Sequence, residues 1–148
     1  MITSARAGDG KSLTAYSLAA SLERCNHRVS VIEIPNEEVT SHERLSAFVE
    51  KMRSNYDFTI IDAPAFGESS SVMSLAGLVD GILLTVRVGR PPTDDDESVV
   101  GMLEQFSGNI VGVVATESDT IANFERARQE SSAFPRPLMP VAAERVLQ

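Results

Sequence analysis

Residues 4–22 read SARAGDGKSLTAYSLAASL, a glycine-containing loop followed directly by the pattern of an amphipathic helix. Ala15 and Ala19 are four residues apart, as are Leu18 and Leu22. This spacing places the four side chains on one apolar face of a helix. A short strand before the loop and a strong helix after it are the context in which a loop binds phosphate.

The loop supplies, in order along the chain, the groups that phosphate binding needs. Gly8 and Gly10 free the backbone N–H groups to point inward, Lys11 provides the positive charge, and Ser12 provides a hydroxyl for Mg²⁺. Ala5 stands where the full G-x-x-x-x-G-K-S pattern has a glycine. The predicted cofactor-binding residues are Ala7, Gly8, Asp9, Gly10, Lys11, Ser12 and Leu13.

The use of basic residues singles out one lysine. Of the 13 Lys and Arg residues only Lys11 and Lys51 are lysine, so ordinary surface charge is carried by arginine. A compact, flexible ammonium suits a point contact with phosphate, which favours a functional role for Lys11. The net charge of −8 disfavours broad attraction to nucleic acids or anionic lipids, and we expect no direct nucleic-acid binding.

Length and composition indicate one domain over residues 1–148. Hydrophobic residues make up 43% of the 148 positions, enough for a buried core. No run approaches the roughly 18 apolar residues of a membrane span, and the N-terminus lacks a signal-peptide pattern. We therefore expect a cytoplasmic protein. Cys25 is the single cysteine, and we expect it to be a buried, inert thiol.

Strand and helix patterns alternate along the chain. Strands are predicted at 1–4, 28–34, 58–62, 81–87 and 109–116, most of them apolar on both faces as in a covered parallel sheet. Helices are predicted at 11–26, 41–55, 71–79, 94–106 and 121–130, and an extended segment at 134–140. Thr40 with Glu43 suggests a capping box, and Thr93 a helix cap. The pattern predicts a three-layer α/β fold with a mainly parallel sheet of about five strands.

A buried strand that ends in a carboxylate provides the second part of the predicted site. Residues 58–62 read FTIID. Ligands of an open parallel sheet collect at the carboxyl ends of its strands, so Asp62 should lie beside the loop and bind Mg²⁺ through water. Ser12 and Asp62 are the predicted metal residues.

Three segments, 4–12 (SARAGDGKS), 56–64 (YDFTIIDAP) and 78–87 (LVDGILLTVR), together resemble the bacterial tyrosine kinases of polysaccharide export. The segments also resemble, more loosely, the partition and division-site ATPases. The resemblance implies a P-loop fold in which Lys11 and Ser12 bind ATP and Mg²⁺ and Asp62 serves the metal. It implies catalytic roles for Lys11 and Asp62, a homo-oligomer, and a membrane polysaccharide co-polymerase or exporter subunit as partner.

The chain departs from that family at the end of the second strand. Glu33 and Pro35 stand where the family carries an Asp-x-Asp motif that helps to hold the metal. Glu33 becomes the candidate base or water-orienting residue. The family carries a tyrosine-rich tail, whereas the tyrosines among these 148 residues are Tyr16 and Tyr56, both of which we expect to be structural.

Three functions stay open: an ATP-dependent kinase of this type, a non-catalytic regulator or scaffold of an envelope polysaccharide machine, and a dimerising partition-type ATPase. In the third, Arg6 would reach across the dimer, although a solvated loop arginine is an equal alternative.

Arg87 and Arg90 could contact phosphate or pair with the acidic residues 94–97. Those acids are expected to complement a helix N-terminus, and His27 and His42 to lie on the surface. These last residues are secondary candidates: Arg6, Arg87, Arg90, His27 and His42.

Overall fold

The computed structural model describes residues 1–34, 42–91, 93–105 and 108–116. Pro35, Thr40 of the predicted capping box, the predicted helix 121–130 and the predicted extended segment 134–140 lie outside these residues.

Five strands and four helices alternate along the described chain. In order they are β1 (Ile2–Ser4), α1 (Lys11–Arg24), β2 (Val29–Glu33), α2 (His42–Asn55), β3 (Phe58–Asp62), α3 (Ser70–Ala76), β4 (Ile82–Arg87), α4 (Asp94–Gln105) and β5 (Ile110–Thr116). Each lies within a few residues of its predicted position. Helix α1 ends at Arg24 instead of the predicted Asn26, because Asn26 adopts a left-handed backbone conformation with φ of 62°, which stops the helix.

The strands form one sheet in the order β2-β3-β1-β4-β5, and every pair is parallel. Helices α2, α3 and α4 pack on one face through buried side chains such as Leu45, Leu75 and Leu103. Helix α1 packs on the other face through Ala15 and Ala19. The predicted three-layer α/β architecture with a parallel five-stranded sheet is confirmed.

One detail of the prediction is wrong at the sheet edge. Strand β5 was expected to be buried on both faces, yet Val111 and Val113 are 61% and 64% exposed. Among the described residues β5 is the last strand in the sheet order, and the side chains of an edge strand are covered less completely than those of the central strands.

The strand register brings three carboxyl ends to the same edge of the sheet. Ile2 of β1 is paired with Asp62 of β3, and Glu33 of β2 is paired with the same aspartate. The loop that follows β1 therefore emerges beside the last residues of β2 and β3. Among the helices of the described ranges, none is both long and apolar enough to cross a bilayer.

Candidate functional site

The loop between β1 and α1 has a backbone shape that glycine permits. Gly8 and Gly10 have φ of 81° and 82°, values that residues with a Cβ adopt at a cost. Gly10 is the N-cap of α1, and its carbonyl accepts the Thr14 N–H at 3.0 Å. A Cβ added at Gly10 would lie 2.9 Å from Cγ2 of Thr116, whereas one added at Gly8 would meet nothing within 4 Å. The end of β5 therefore packs closely against the loop at Gly10.

The side chain of Lys11, the first residue of α1, extends back toward β1, the strand that precedes the loop. Its Nζ donates to Oγ of Ser4 at 3.2 Å, and that hydroxyl donates to the carbonyl of Arg6 at 2.6 Å. The ammonium therefore lies alongside the loop, at the positive end of the helix, where an anion would be favoured.

Ser12 and Asp62 meet at the edge of the sheet. Burial, together with the nearby charge of Glu33, raises the pKa of Asp62 above its ordinary value. The Ser12 hydroxyl and the positive charge of Lys11 act in the opposite direction, as expected for groups that lie close to this carboxylate. A hydroxyl and a carboxylate are hard oxygen donors of the kind Mg²⁺ selects, and Mg²⁺ commonly completes its shell with water and substrate phosphates. The donor set therefore fits the ion.

Glu33 ends β2 next to Asp62 and is itself exposed. The hydroxyl of Tyr16, a side chain of α1 that is 2% exposed, donates to Oε1 of Glu33. The candidate base is thus held by the helix that begins at the phosphate loop. The structure brings four of the predicted residues together in one place: Lys11, Ser12, Glu33 and Asp62.

An ionic network lies on the other flank of the loop. Arg90 Nη2 is 2.7 Å from Oδ2 of Asp9 and 3.0 Å from Oδ1 of Asp96. Arg6 Nη2 is 2.9 Å from Oδ2 of Asp96. Burial raises the pKa of Asp9, while the charges of Arg6 and Lys11 act in the opposite direction. The pairing of Arg90 with the acidic start of α4 was one of the two predicted alternatives. The bond between Arg90 and Asp9 was not predicted.

The acidic start of α4 acts as a helix cap. The Asp96 carboxylate accepts the backbone N–H of Thr93 at 2.9 Å and its hydroxyl at 3.1 Å, the reciprocal half of a capping box. Within the described ranges no group of three or more His, Cys, Asp or Glu side chains is arranged to hold a metal ion. The contacts of Asp96 agree with the interpretation of this one acid as a complement of the helix end.

The remaining candidates lie away from this edge or face solvent. His27 is exposed and meets the Phe58 ring edge-on at 5.0 Å, and His42 is exposed at the start of α2. Tyr56 follows α2 near the amino ends of the strands and lines a cavity of about 330 Å³ there. Cys25 is exposed, not buried as expected, because it lies at the C-terminal end of α1.

Comparisons with known proteins agree on the fold. No protein-family model matches the sequence, and no curated protein matches it. The kinase domain of the Escherichia coli tyrosine kinase ETK is similar in structure, with a TM-score of 0.71 at 18% identity over 79% of this chain and 66% of that domain. The kinase domain of VpsO gives 0.69 at 21% identity, covering 79% of this chain and 83% of that one.

The septum site-determining protein MinD from Pyrococcus horikoshii, solved with Mg-ADP, is also similar. Its TM-score is 0.59 at 18% identity, covering 99% of this chain and 83% of that chain. This chain spans somewhat less than two thirds of the ETK kinase domain. The fold that the sequence resemblance implies, shared by tyrosine-kinase domains and MinD-like proteins, is confirmed.

Proposed function

We propose that this chain binds ATP together with Mg²⁺ at the loop between β1 and α1. The observation that carries the proposal is the convergence of Lys11, Ser12 and Asp62 beside a loop whose Gly8 and Gly10 have positive φ. A lysine, a hydroxyl, a buried carboxylate and the backbone N–H groups of such a loop form the set of groups that a nucleotide polyphosphate and its metal require. The fold shared with a MinD protein that was solved with Mg-ADP supports the same ligand.

Each residue of the proposed site would have a role in nucleotide or metal binding that follows from its chemistry. Backbone N–H groups of residues 7–13 and the Lys11 ammonium would hold the phosphates. Ser12 would ligate Mg²⁺ directly, and Asp62 would hold it through water. Mg²⁺ held by these two residues would supply positive charge against the charge of the nucleotide phosphates. Glu33 would orient the attacking group from the end of the neighbouring strand.

The finer proposal is a kinase-like domain of the polysaccharide-export type. The resemblance of segments 4–12, 56–64 and 78–87 supports it, as does the fold shared with two kinase domains. Such a domain would work in the cytoplasm, reach the membrane through a co-polymerase or exporter subunit, and form homo-oligomers.

A second candidate is a regulator that holds nucleotide without transferring phosphate. One observation favours it: the Glu33 carboxylate already accepts the Tyr16 hydroxyl, so it would have to leave that bond or share it to act as a base. Glutamate at this position also extends one methylene further than the family's aspartate, and catalytic geometry is sensitive to about an ångström.

Incubation with labelled ATP and Mg²⁺ would separate these functions. Bound nucleotide, released phosphate and protein-bound label should be measured separately for the wild type, Lys11→Ala and Lys51→Ala. Lys51 is the matched control, because it is the other lysine and lies exposed on α2. We expect binding in the wild type and Lys51→Ala and its loss in Lys11→Ala. Binding without turnover would favour the regulator, and no wild-type binding would refute the proposal.

A further inference from the structure

Asp9 lies at an unusual position for an acidic residue. It is within the loop proposed to receive a nucleotide's phosphates, and its side chain is 3% exposed. A buried carboxylate is poorly screened by solvent, so its charge would repel a polyphosphate more strongly than a surface acid would. A loop that carries this residue needs a compensating positive charge.

Arg90 provides that charge from a distant part of the chain. Its Nη2 lies 2.7 Å from the Asp9 carboxylate although 81 residues separate the two, and its side chain is 19% exposed. The turn after β4 places Arg90 beside Asp9. Gly89, immediately before it, has φ of 84°, a conformation that glycine adopts readily and that turns the chain back toward the loop.

The second contact of Arg90 fixes its position. Asp96 binds Arg90 through both carboxylate oxygens, at 3.0 Å and 3.3 Å, and also binds Arg6 at 2.9 Å. The four side chains alternate in sign and add no net charge. Because Arg6 and Asp9 both belong to the phosphate loop, the network holds the loop at two points and anchors it to the start of α4.

We propose that Arg90 acts on nucleotide binding through Asp9: its guanidinium cancels the charge of the buried carboxylate, which would otherwise repel the nucleotide phosphates. This inference rests on the proposed ATP binding. Without the guanidinium, Asp9 would repel the incoming anion, and the repulsion would grow with the number of phosphates. Removal of the Asp9 charge should then make the guanidinium dispensable.

A double-mutant cycle in nucleotide affinity tests the inference. The variants are Arg90→Gln, Asp9→Asn and the two combined, with ATP and ADP each titrated by calorimetry. Arg28→Gln is the matched control, because Arg28 forms an equally short 2.7 Å bond to Asp57 before β2, at the opposite end of the sheet. We expect Arg90→Gln to weaken ATP binding about tenfold or more, to weaken ADP binding less, and Arg28→Gln to change neither.

The rescue distinguishes charge cancellation from general support. The double variant should bind ATP within about threefold of the wild type. Asp9→Asn alone should bind ATP at least as tightly as the wild type. If Arg90→Gln does not fold, the ATP affinity of Asp9→Asn tests whether the Asp9 charge opposes binding. The inference is overturned if Arg90→Gln binds ATP normally, if the double variant is as weak as Arg90→Gln, or if Asp9→Asn itself loses affinity. If the wild type binds no ATP, the proposed function fails with it, an outcome distinct from normal binding by Arg90→Gln.

Discussion

Replacement of Gly10 by alanine should destabilise the fold more than the same replacement at Gly8. The two positions share a positive φ of about 80°, which costs a residue with a Cβ about 1–2 kcal/mol. They differ in their surroundings. The new Cβ at position 10 would lie 2.9 Å from Cγ2 and 3.1 Å from Cβ of Thr116, and the Cβ at position 8 would meet open space. Overpacking of this kind costs about 1–3 kcal/mol more.

The expected losses in unfolding free energy are therefore about 1–2 kcal/mol for Gly8→Ala and about 2–5 kcal/mol for Gly10→Ala. Equilibrium unfolding in urea measures both. With a slope of about 2 kcal/mol per molar urea, a difference of about 2 kcal/mol separates the two midpoints by about 1 M. Gly8→Ala is the control for backbone strain, since it shares the strain and lacks the contact.

A third variant identifies the contact itself. Thr116→Ser removes Cγ2, the nearest atom, and keeps the hydroxyl that donates to the Asp9 carbonyl at 2.9 Å. In the Gly10→Ala background it should recover about half of the extra loss, because the Cβ and Oγ1 contacts at 3.1 Å and 3.2 Å remain. Equal midpoints for Gly8→Ala and Gly10→Ala, or no recovery with Thr116→Ser, would refute the reasoning.

Three further outcomes follow from the same region. Burial raises the pKa of Asp62, so the native state takes up its proton at higher pH than the unfolded chain does. The stability contributed by this proton is complete below about pH 4 and is lost as pH rises through the raised pKa. In metal-free buffer at pH 7, Asp62→Asn should therefore have a higher melting temperature than the wild type, and added Mg²⁺ should no longer change it. A lower melting temperature than the wild type would contradict this. Tyr16→Phe removes the bond to Glu33 and should lower the unfolding free energy by about 1 kcal/mol; an unchanged urea midpoint would count against the contact. Arg6→Ala breaks a partly buried pair with Asp96 and should cost about 1 kcal/mol. If the same variant abolished a concentration-dependent ATPase activity, the dimerising ATPase would be favoured.

The sequence allows prediction of those features that depend on local pattern. Apolar runs separated by helical periods predict the parallel sheet, and the loop before α1 predicts where phosphate should bind. The placement of Asp62 at the same edge of the sheet as the phosphate loop follows from parallel topology, because the carboxyl ends of parallel strands share an edge.

Features that depend on long-range packing could not be predicted. The bond between Asp9 and Arg90 joins residues 81 positions apart and requires the exact path of the turn after β4. The exposure of Val111 and Val113 depends on the position of β5 in the strand order of the sheet. The exposure of Cys25 depends on where α1 ends, which was two residues earlier than predicted.

The shortness and central position of β1 have a consequence for how the chain acquires its site during synthesis. This three-residue strand lies between β3 and β4, and its neighbours donate to it from far along the sequence, Ala63 to the Ile2 carbonyl and Leu83 to the Met1 carbonyl. A nascent chain that stops before β4 lacks one of these two supports, although the whole loop has already been made. The phosphate loop therefore lacks part of its support until β4, which ends at Arg87, has left the ribosome. The loop would be made before β4 but would acquire its working shape only after β4 has paired with β1.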